Sequence, residues 1–264
     1  MLHYFAGLDI GSSATKGVLV DAAGEPVARA LLPTGADARK SAEEILRRML
    51  EERRIGPGDA EVYCTGYGRE LPAFGRKRPT EIACLALGVH GSCPGVRVAI
   101  DVGGQDLKVV ALGPDGRHVN FLMNDRCAAG TGRFLEVMAR VLEVPLEEIG
   151  PLSLKAASSV RITSMCTVFA ESEVVSMIAR GVGRADILAG VHASVAERIA
   201  GQVGRLGVEG ETALAGGGAL NSGLTAALEA RLGKKLAIPG HPQFTIALGA
   251  ARMARRDARG ASTG

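Results

Sequence analysis

A strand-and-turn signature occurs twice in this sequence and constrains the fold more than any other feature. The first copy spans Gly7–Lys16 (GLDIGSSATK), and the second spans Ala99–Lys108 (AIDVGGQDLK). In each copy an apolar residue precedes Asp-x-Gly, a small polar turn follows, and a lysine leads into another apolar run. Two copies in the same context predict two related lobes that face one another, each with a phosphate-binding turn. We therefore expect ATP to bind in a cleft.

Apolar periodicity predicts a similar order of elements after both signatures. The expected strands are 6–10, 16–20, 26–32, 61–65, 96–100, 108–113, 118–124, 212–215 and 235–238. The expected helices are 41–53, 81–90, 133–143, 168–180, 185–206, 222–232 and 245–256. Ser41 with Glu44 forms a capping-box pattern at the start of the first helix. The prediction is an α/β protein with lobes 1–95 and 96–243, and with helix 244–264 packed back on the first lobe.

Composition excludes several classes of function. The 264 residues are 47% apolar with a net charge of +3, and aromatic residues amount to only 3% without any Trp. Stacking platforms for nucleic acid are hard to build from this set, so we expect no nucleic-acid partner. The arginines near the C-terminus predict the solvated face of a last helix, with a polyanion-binding tail as the alternative. No apolar run or leader-like segment points to a membrane, so we expect a cytoplasmic protein.

The residues of the two turns suit nucleotide chemistry. Asp9 and Asp101 end buried strands, where carboxylates can hold Mg²⁺. Lys16 offers a point charge to phosphate, and small turn residues offer backbone N–H groups and hydroxyls; the hydroxyls are those of Ser12, Ser13 and Thr15. A third element, Leu214–Asn221 (LAGGGALN), ends a strand in three glycines and allows adenosine to lie against the backbone. The Walker-type phosphate loop is absent from the sequence.

Each of these elements alone is a common turn, and their ordered combination is what favours a nucleotide fold. Asp-x-Gly-Ser occurs in many proteins, and a lone Gly-Gly-Gly is usually a flexible loop. With the duplication, the combination predicts the ATP-binding fold of the actin, sugar-kinase and Hsp70 type.

Two of the five cysteines stand out by position. Cys127 and Cys166 each precede a predicted amphipathic helix, whose N-terminus would stabilise an anionic sulfur. Two thiolates are too few for a four-thiolate cluster, but a twofold dimer would supply four. On spacing alone the stronger reading is structural, as small apolar residues at helix starts. Cys64, Cys84 and Cys93 share no pattern and are expected to be core or loop thiols; an odd number of cysteines argues against a disulfide framework.

The motifs together resemble one family, the ATP-dependent activators of 2-hydroxyacyl-CoA dehydratases (archerases, or component A), which are ATPases of the BadF/BadG/BcrA/BcrD type. The resemblance covers nearly the whole chain and is most specific around the two cysteines. It is carried by the stretches 8–16, 65–69, 100–108, 123–134, 166–174, 215–218 and 247–251. The sequence departs from the family pattern at Gly218–Leu220 and at His241–Thr245, which puts fine adenosine contacts in question.

The resemblance implies a homodimer that holds one [4Fe-4S] cluster through Cys127 and Cys166 of both chains. It implies an ATPase with ATP/ADP and Mg²⁺ in each nucleotide site, ferredoxin or flavodoxin as the reductant, and a dehydratase as the electron acceptor. Asp9 and Asp101 would handle Mg²⁺, while Gln105 and Asp106 would position the attacking water. The residues expected at the nucleotide are Gly11, Ser12, Ser13, Ala14, Thr15, Lys16, Gly103, Gly104, Gly216, Gly217, Gly218, Asn221 and Gln243.

In the mechanism that the resemblance implies, helices 131–143 and 167–180 link the nucleotide to the cluster. Glu171 and Glu173 either stabilise the second of these helices or couple the nucleotide state to the cluster. Three alternatives stay open at this point. They are a subunit of a benzoyl-CoA-type reductase, a cluster-free small-molecule kinase, and a nucleotide sensor that only binds partners.

Overall fold

The computed structural model describes residues 4–164 and 166–261, so residues 1–3 and 262–264 of the expected lobe spans lie outside it. The strands, in chain order, are β1 (Tyr4–Ile10), β2 (Ala14–Asp21), β3 (Pro26–Pro33), β4 (Ala60–Thr65), β5 (Val98–Val102), β6 (Leu107–Leu112), β7 (His118–Asn124), β8 (Thr212–Ala215) and β9 (Leu236–Ala237). The helices are α1 (Ala38–Arg53), α2 (Glu81–His90), α3 (Gly132–Val141), α4 (Ile149–Ser153), α5 (Thr167–Ala179), α6 (Arg184–Leu206), α7 (Ser222–Leu232) and α8 (Thr245–Ala261).

The chain forms two compact units. The first comprises Met1–Gly95, Leu112–Val119 and Pro239–Gly264, as far as the structure describes them, and the second comprises Val96–Ala111 and Asn120–Ile238. Each unit has its own sheet and its own apolar core. None of the described helices combines the length and apolar character that a membrane span requires.

The first unit is a four-stranded sheet of order β3-β2-β1-β4. β1 pairs antiparallel with β2, which sets Asp9 opposite Lys16, and parallel with β4, which sets Asp9 beside Thr65. Helix α8 packs directly on β1 because Gly7 has no side chain; a Cβ there would lie 2.0 Å from the Ala247 carbonyl oxygen. The sheet therefore presents Asp9 at the end of a central strand.

The second unit repeats this arrangement in a five-stranded sheet of order β7-β6-β5-β8-β9. β5 pairs antiparallel with β6 and parallel with β8, so that Asp101 lies opposite Lys108 and beside Ala215. Asp9 and Asp101 thus hold equivalent registers in the two sheets. The sequence predicted a duplicated motif, and the structure shows that the order and direction of the strands around the motif are duplicated as well.

Most predicted elements are confirmed to within a few residues, but the start of α1 is wrong. Asp37 is the N-cap, and its side chain accepts a hydrogen bond from the Lys40 N–H. Ser41 lies inside the helix, where its hydroxyl donates to the Thr34 carbonyl at 2.6 Å. Glu44 binds Arg47 and Arg48 instead of completing a capping box. The hydroxyl of Ser41 therefore ties α1 to the end of β3.

The last helix also differs from the prediction because it runs on to Ala261. Its arginines are not simply solvated. Arg255 and Arg259 both donate to the Ala22 carbonyl, and Arg252 donates to the Gly88 carbonyl. These contacts fasten the end of the chain to the first unit.

Candidate functional site

The first Asp-x-Gly turn contains a carboxylate oxygen that lacks a partner. Asp9 is buried, and its Oδ2 atom lies 3.2 Å from the Lys16 Nζ atom. The other oxygen, Oδ1, is buried without a hydrogen-bond partner. An unsatisfied buried acceptor is costly, and hard cations such as Mg²⁺ and their bound waters satisfy carboxylates of this kind. The residues of the first turn therefore fit a Mg²⁺ site.

The hydroxyls predicted in this turn do not all face the same way. Ser12 and Ser13 are exposed, whereas Thr15 is fully buried. Thr34 donates to the Gly11 carbonyl at 2.6 Å, which leaves its oxygen to accept from Thr15 at 2.9 Å. The Thr15 hydroxyl is thus used to brace the turn. Thr34 was missed because nothing in its local sequence marks it.

The second turn is closed by a buried lysine. Lys108 Nζ lies 3.4 Å from Asp101 Oδ2 and 2.7 Å from Asp106 Oδ2, and the lysine side chain is only 2% exposed. Gln105 is exposed at the tip of the turn, with Gly103 and Gly104 half-buried beside it. Asp101 and Asp106 therefore share one cation, while Gln105 points to solvent.

The glycine run after β8 packs on the second turn. Gly216 has φ +81°, and a Cβ there would lie 2.6 Å from Asp101 Oδ1 and 2.5 Å from the Val102 carbonyl oxygen. Only glycine adopts that backbone without strain at so close an approach. A Cβ on Gly217 would meet open space, and one on Gly218 would meet the Val102 side chain. The run leaves a bare backbone beside Asp101, as an adenosine-binding turn would require.

The first unit contains a counterpart of this glycine run that the sequence interpretation missed. Gly66 follows β4 with φ +94°, and a Cβ there would lie 2.5 Å from the Ile10 carbonyl oxygen. Gly68 packs on the Ile10 side chain in the same way that Gly218 packs on Val102. Between the two glycines stands Tyr67, which is 88% exposed. The signal was the Gly-x-Gly spacing after a strand parallel to the one bearing Asp9.

Asn221 has a structural position behind the glycine run. Its Oδ1 atom caps α7 by accepting from the Leu224 N–H, and its amide donates to His192 Nε2 at 3.0 Å. The other ring nitrogen of His192 lies 2.9 Å from the Ser153 hydroxyl. Burial lowers the pKa of His192 to about 4, so the ring stays neutral and its Nε2 atom can accept the hydrogen bond from the Asn221 amide. Asn221 thus holds the turn in place.

Gln243 lies in the first unit. It is half-buried in a short 3₁₀ turn, Pro242–Phe244, that precedes α8 and contacts β2. The structure therefore brings Gln243 near the strand that follows the first turn.

The two selected cysteines differ in their local structure. Cys166 is exposed and is the N-cap of α5, as predicted for a helix start. Cys127 is half-buried in a loop, and Thr131, four residues later, is the N-cap of α3. The expected helix N-terminus at Cys127 is therefore wrong. The loop is fastened by Asn124, whose amide donates to the Cys127 carbonyl at 2.9 Å.

The remaining cysteines are shielded. Burial raises the pKa of Cys64 to about 11 and that of Cys84 to about 12, and it also raises the pKa of Cys93. These three stay protonated thiols near neutral pH, whereas a metal ligand must be a thiolate. Among the described residues, no group of three or more His, Cys, Asp or Glu side chains could hold a metal ion. Cys127 and Cys166, which lie outside this shielded set, remain the candidate thiolate ligands.

Backbone hydrogen bonds connect the second turn to the Cys127 loop. The Gly132 N–H donates to the Gly103 carbonyl and the Arg133 N–H to the Gly104 carbonyl, both at 2.8 Å. The loop closes onto the same helix start, where the Thr131 N–H donates to the Ala128 carbonyl at 3.0 Å. The second turn is therefore hydrogen-bonded directly to the first residues of α3.

The segment before Cys166 is held by a carboxylate. Glu173 accepts from the Thr163 and Ser164 N–H groups, both at 3.0 Å, and from the Thr163 hydroxyl. Burial alone would raise the pKa of Glu173, but these hydrogen bonds outweigh it and keep the pKa below its ordinary value. Glu171 is exposed on the same helix. Glu173 therefore fastens the approach to Cys166.

Comparison with known proteins identifies the family of this chain. The family model described as the BadF/BadG/BcrA/BcrD ATPase family matches residues 6–254. The (R)-2-hydroxyglutaryl-CoA dehydratase activating ATPase of Acidaminococcus fermentans is 41% identical over 260 residues, which covers 98% of this chain and 99% of the relative.

Solved structures confirm the predicted fold class. The activator of 2-hydroxyisocaproyl-CoA dehydratase from Clostridium difficile, with bound ADPNP, superposes with a TM-score of 0.93 at 41% identity, covering 98% of this chain and 97% of that one. A glucokinase from Streptomyces griseus reaches a TM-score of 0.59 at 11% identity, covering 96% of this chain and 99% of that one. The second likeness shows the shared sugar-kinase type of fold alone.

Proposed function

We propose that this chain, which belongs to the BadF/BadG/BcrA/BcrD ATPase family, uses ATP to drive one-electron transfer to a 2-hydroxyacyl-CoA dehydratase. The observation that carries the proposal is the pair of backbone hydrogen bonds from Gly132 and Arg133 to the second turn. They connect the second Asp-x-Gly turn with the loop that bears Cys127.

At the nucleotide, the first turn provides the binding groups. Ser12 and Ser13 face solvent and offer hydroxyl and N–H donors to phosphate, while Lys16 offers a positive charge. Asp9 offers its unpaired Oδ1 atom to Mg²⁺ or to a water of its shell. In the second turn, exposed Gln105 is the residue available to position the attacking water, with Asp106 beside it.

At the cysteines, Cys127 and Cys166 of two chains would hold a [4Fe-4S] cluster, which supplies low-potential one-electron chemistry when bound. A homodimer is supported by apolar side chains on α5 that lie beside Cys166 and face solvent. Val168 is 66% exposed, Phe169 68% and Val175 51%. A second copy of α5 would cover them. Ferredoxin or flavodoxin is the proposed reductant.

Coupling follows from the order of the contacts. We infer that a bound nucleotide displaces Gly103 and Gly104 of the second turn, and that the two backbone hydrogen bonds pass this movement to the start of α3. Because the Cys127 loop closes onto the same helix start, its position depends on the nucleotide state. A nucleotide that binds two arrangements of the turn with different affinity shifts the population between them.

The test is anaerobic purification followed by iron and sulfide analysis and an absorption spectrum. We expect about four irons per dimer and a band that bleaches on reduction. Cys127→Ser and Cys166→Ser should each lose the iron while ATP hydrolysis continues. Cys93→Ser is the matched control, since Cys93 is half-buried and lies outside the proposed set.

Several outcomes would contradict the proposal. An iron-free wild type that still activates a dehydratase would exclude the cluster. Phosphoryl transfer to an added acceptor by an iron-free protein would favour a small-molecule kinase. Isolation as a stable complex with other subunits would favour a benzoyl-CoA-type reductase.

A further inference from the structure

Cys127 has a cationic neighbour from a distant part of the chain. Arg198 lies near the middle of α6, and its Nη2 atom is 3.8 Å from the Cys127 Sγ atom, within hydrogen-bonding range for sulfur. The arginine is half-buried. Among the described residues, this sulfur is the hydrogen-bond partner recorded for the Arg198 guanidinium.

The loop backbone is shaped to admit this arginine. Gly130 has φ +89°, and a Cβ at that position would lie 3.0 Å from Arg198 Cδ. Glycine therefore serves two purposes here, because it adopts the turn of the loop and leaves room for the arginine stem to reach the sulfur. The approach of Arg198 to Cys127 is thus supported by a second residue of the cysteine motif.

The carboxylate next to Arg198 in sequence is already bound by another arginine. The neighbouring Glu197 is bound by Arg231 from α7. Within the described part of the chain, no carboxylate forms an ion pair with Arg198. Arg198 also lines a cavity of about 840 Å³, together with Arg161 and Arg205. Of these three arginines, Arg198 is the one whose guanidinium is hydrogen-bonded to the Cys127 sulfur.

Each of the two cysteines has a source of positive charge nearby, and the two sources differ. Cys166 is at the N-terminus of α5, where the free N–H groups and the helix dipole favour an anion. Cys127 lacks a helix start of its own, and the guanidinium of Arg198 stands in the corresponding place. In the described part of the chain, Arg198 is the residue that donates a hydrogen bond to the Cys127 sulfur.

We propose that Arg198 is a positioning residue that holds the Cys127 sulfur and adds a positive charge beside the shared cluster. The charge favours the one-electron-reduced state, which is more negative by one unit than the oxidised state. Hydrogen bonds to cluster sulfurs also set reduction potentials. This inference rests on the proposed function.

The test compares three variants with the wild type, all purified anaerobically. Arg198→Met keeps an apolar stem without the charge, and Arg198→Lys keeps the charge without the planar fork. Arg205→Met is the matched control, because Arg205 lies on the same face of α6, two turns or about 10 Å further along. Each protein is titrated with Ti(III) citrate and followed by EPR; one electron passes from Ti(III), which becomes Ti(IV), to the cluster.

We expect the midpoint potential of Arg198→Met to be more negative than that of the wild type. At a fixed potential, the reduced-to-oxidised ratio should fall about tenfold, which is ~59 mV for one electron. The midpoint potential of Arg198→Lys should lie between those of Arg198→Met and the wild type. The midpoint potential of Arg205→Met should equal that of the wild type. If the Arg198→Met protein loses iron, the Arg198→Lys protein should retain more iron than the Arg198→Met protein.

Arg198→Met with the wild-type potential and iron content would overturn the inference. So would equal loss of iron in the Met and Lys variants. These outcomes differ from a failure of the proposed function, in which the wild type itself shows no reducible cluster.

Discussion

The two Asp-x-Gly turns have the same sequence pattern and the same sheet register, yet they differ in how far they are closed. In the first turn, the Lys16 side chain is 20% exposed and binds one oxygen of Asp9. In the second, the Lys108 side chain is 2% exposed and binds both Asp101 and Asp106. The first unit therefore presents a partly exposed lysine that binds one carboxylate, and the second contains a buried lysine that binds two.

This difference suggests a division of work between duplicated halves. The open turn retains an unpaired carboxylate oxygen and two exposed serines, which suit metal and phosphate binding. The closed turn is held by the two ion pairs of Lys108, and its Gly103 and Gly104 carbonyls accept hydrogen bonds from the start of α3. A turn held at both ends transmits a displacement better than one held at a single end. Duplication thus supplied two copies of a motif, of which we propose that one binds and the other transmits.

Replacing the lysines should give the largest difference between the turns. Lys108→Met leaves two carboxylates without their buried cation, so we expect a loss of about 3–5 kcal/mol in the free energy of unfolding. Lys16→Met unpairs one carboxylate that water can reach, so we expect a smaller loss of about 1–3 kcal/mol. Urea denaturation of both variants measures the difference. Equal losses would show that the turns are not distinct in this respect.

The aspartates should differ in their effect on ATP hydrolysis. Asp9→Asn removes charge from the carboxylate of the first turn, whose Oδ1 atom is buried without a partner, and we expect kcat to fall about 100-fold or more. Asp101→Asn should have a milder effect on kcat, because Asp101 shares the buried Lys108 cation with Asp106. Steady-state hydrolysis at a series of Mg²⁺ concentrations distinguishes them. A larger loss in Asp101→Asn would reverse the assignment.

Thr34 braces only the first turn and so offers a local test of its role. Thr34→Val removes the hydrogen bonds to Gly11 and Thr15, with an expected cost of about 1–2 kcal/mol. The turn should loosen, and KM for ATP should rise. Thr225→Val is the control, since the Thr225 hydroxyl bonds the Asn221 carbonyl at the start of its own helix. An unchanged KM would mean that the turn needs no brace.

Acid should weaken the segment before Cys166 through Glu173. The pKa of Glu173 is below its ordinary value of 4.5 in the folded chain, so its contribution is present above pH 4.5 and is lost as the pH falls through the folded value. Glu173→Gln should remove this contribution, about 1 kcal/mol, and with it the acid dependence of amide exchange in residues 158–164. Glu171→Gln is the control. Identical pH profiles for the two variants would contradict the assignment.

The sequence alone predicted much of the structure of the two turns, because the residues that define each turn are close together in the chain. Asp, Gly and Lys at fixed spacing fall on two adjacent strands, so their pairing follows from one hairpin. The start of α1 was misjudged because Ser41 and Asp37 are both good caps, and the end of β3 decides between them. Thr34 and Gly66 became visible only when the fold brought Thr34 beside the first turn and Gly66 beside the end of β1.

Arg198 is the clearest case of a residue whose role the sequence alone could not predict. It lies 71 residues from Cys127, and its helix has no feature that marks one arginine among its others. Only the packing of α6 against the Cys127 loop selects it. The Gly130 of the cysteine motif was a partial signal, because a glycine in a functional loop often admits another group.

The central claim, that the second turn passes the nucleotide state to the cysteine loop, is tested most directly by hydrogen–deuterium exchange. The anaerobic protein is compared with ADP and with ADPNP, both with Mg²⁺. We predict that amide protection changes in residues 101–106 and also in residues 125–133, with Arg133 among them. Protection that changes only in residues 9–16 and 101–106, with residues 125–133 the same in both states, would contradict the account.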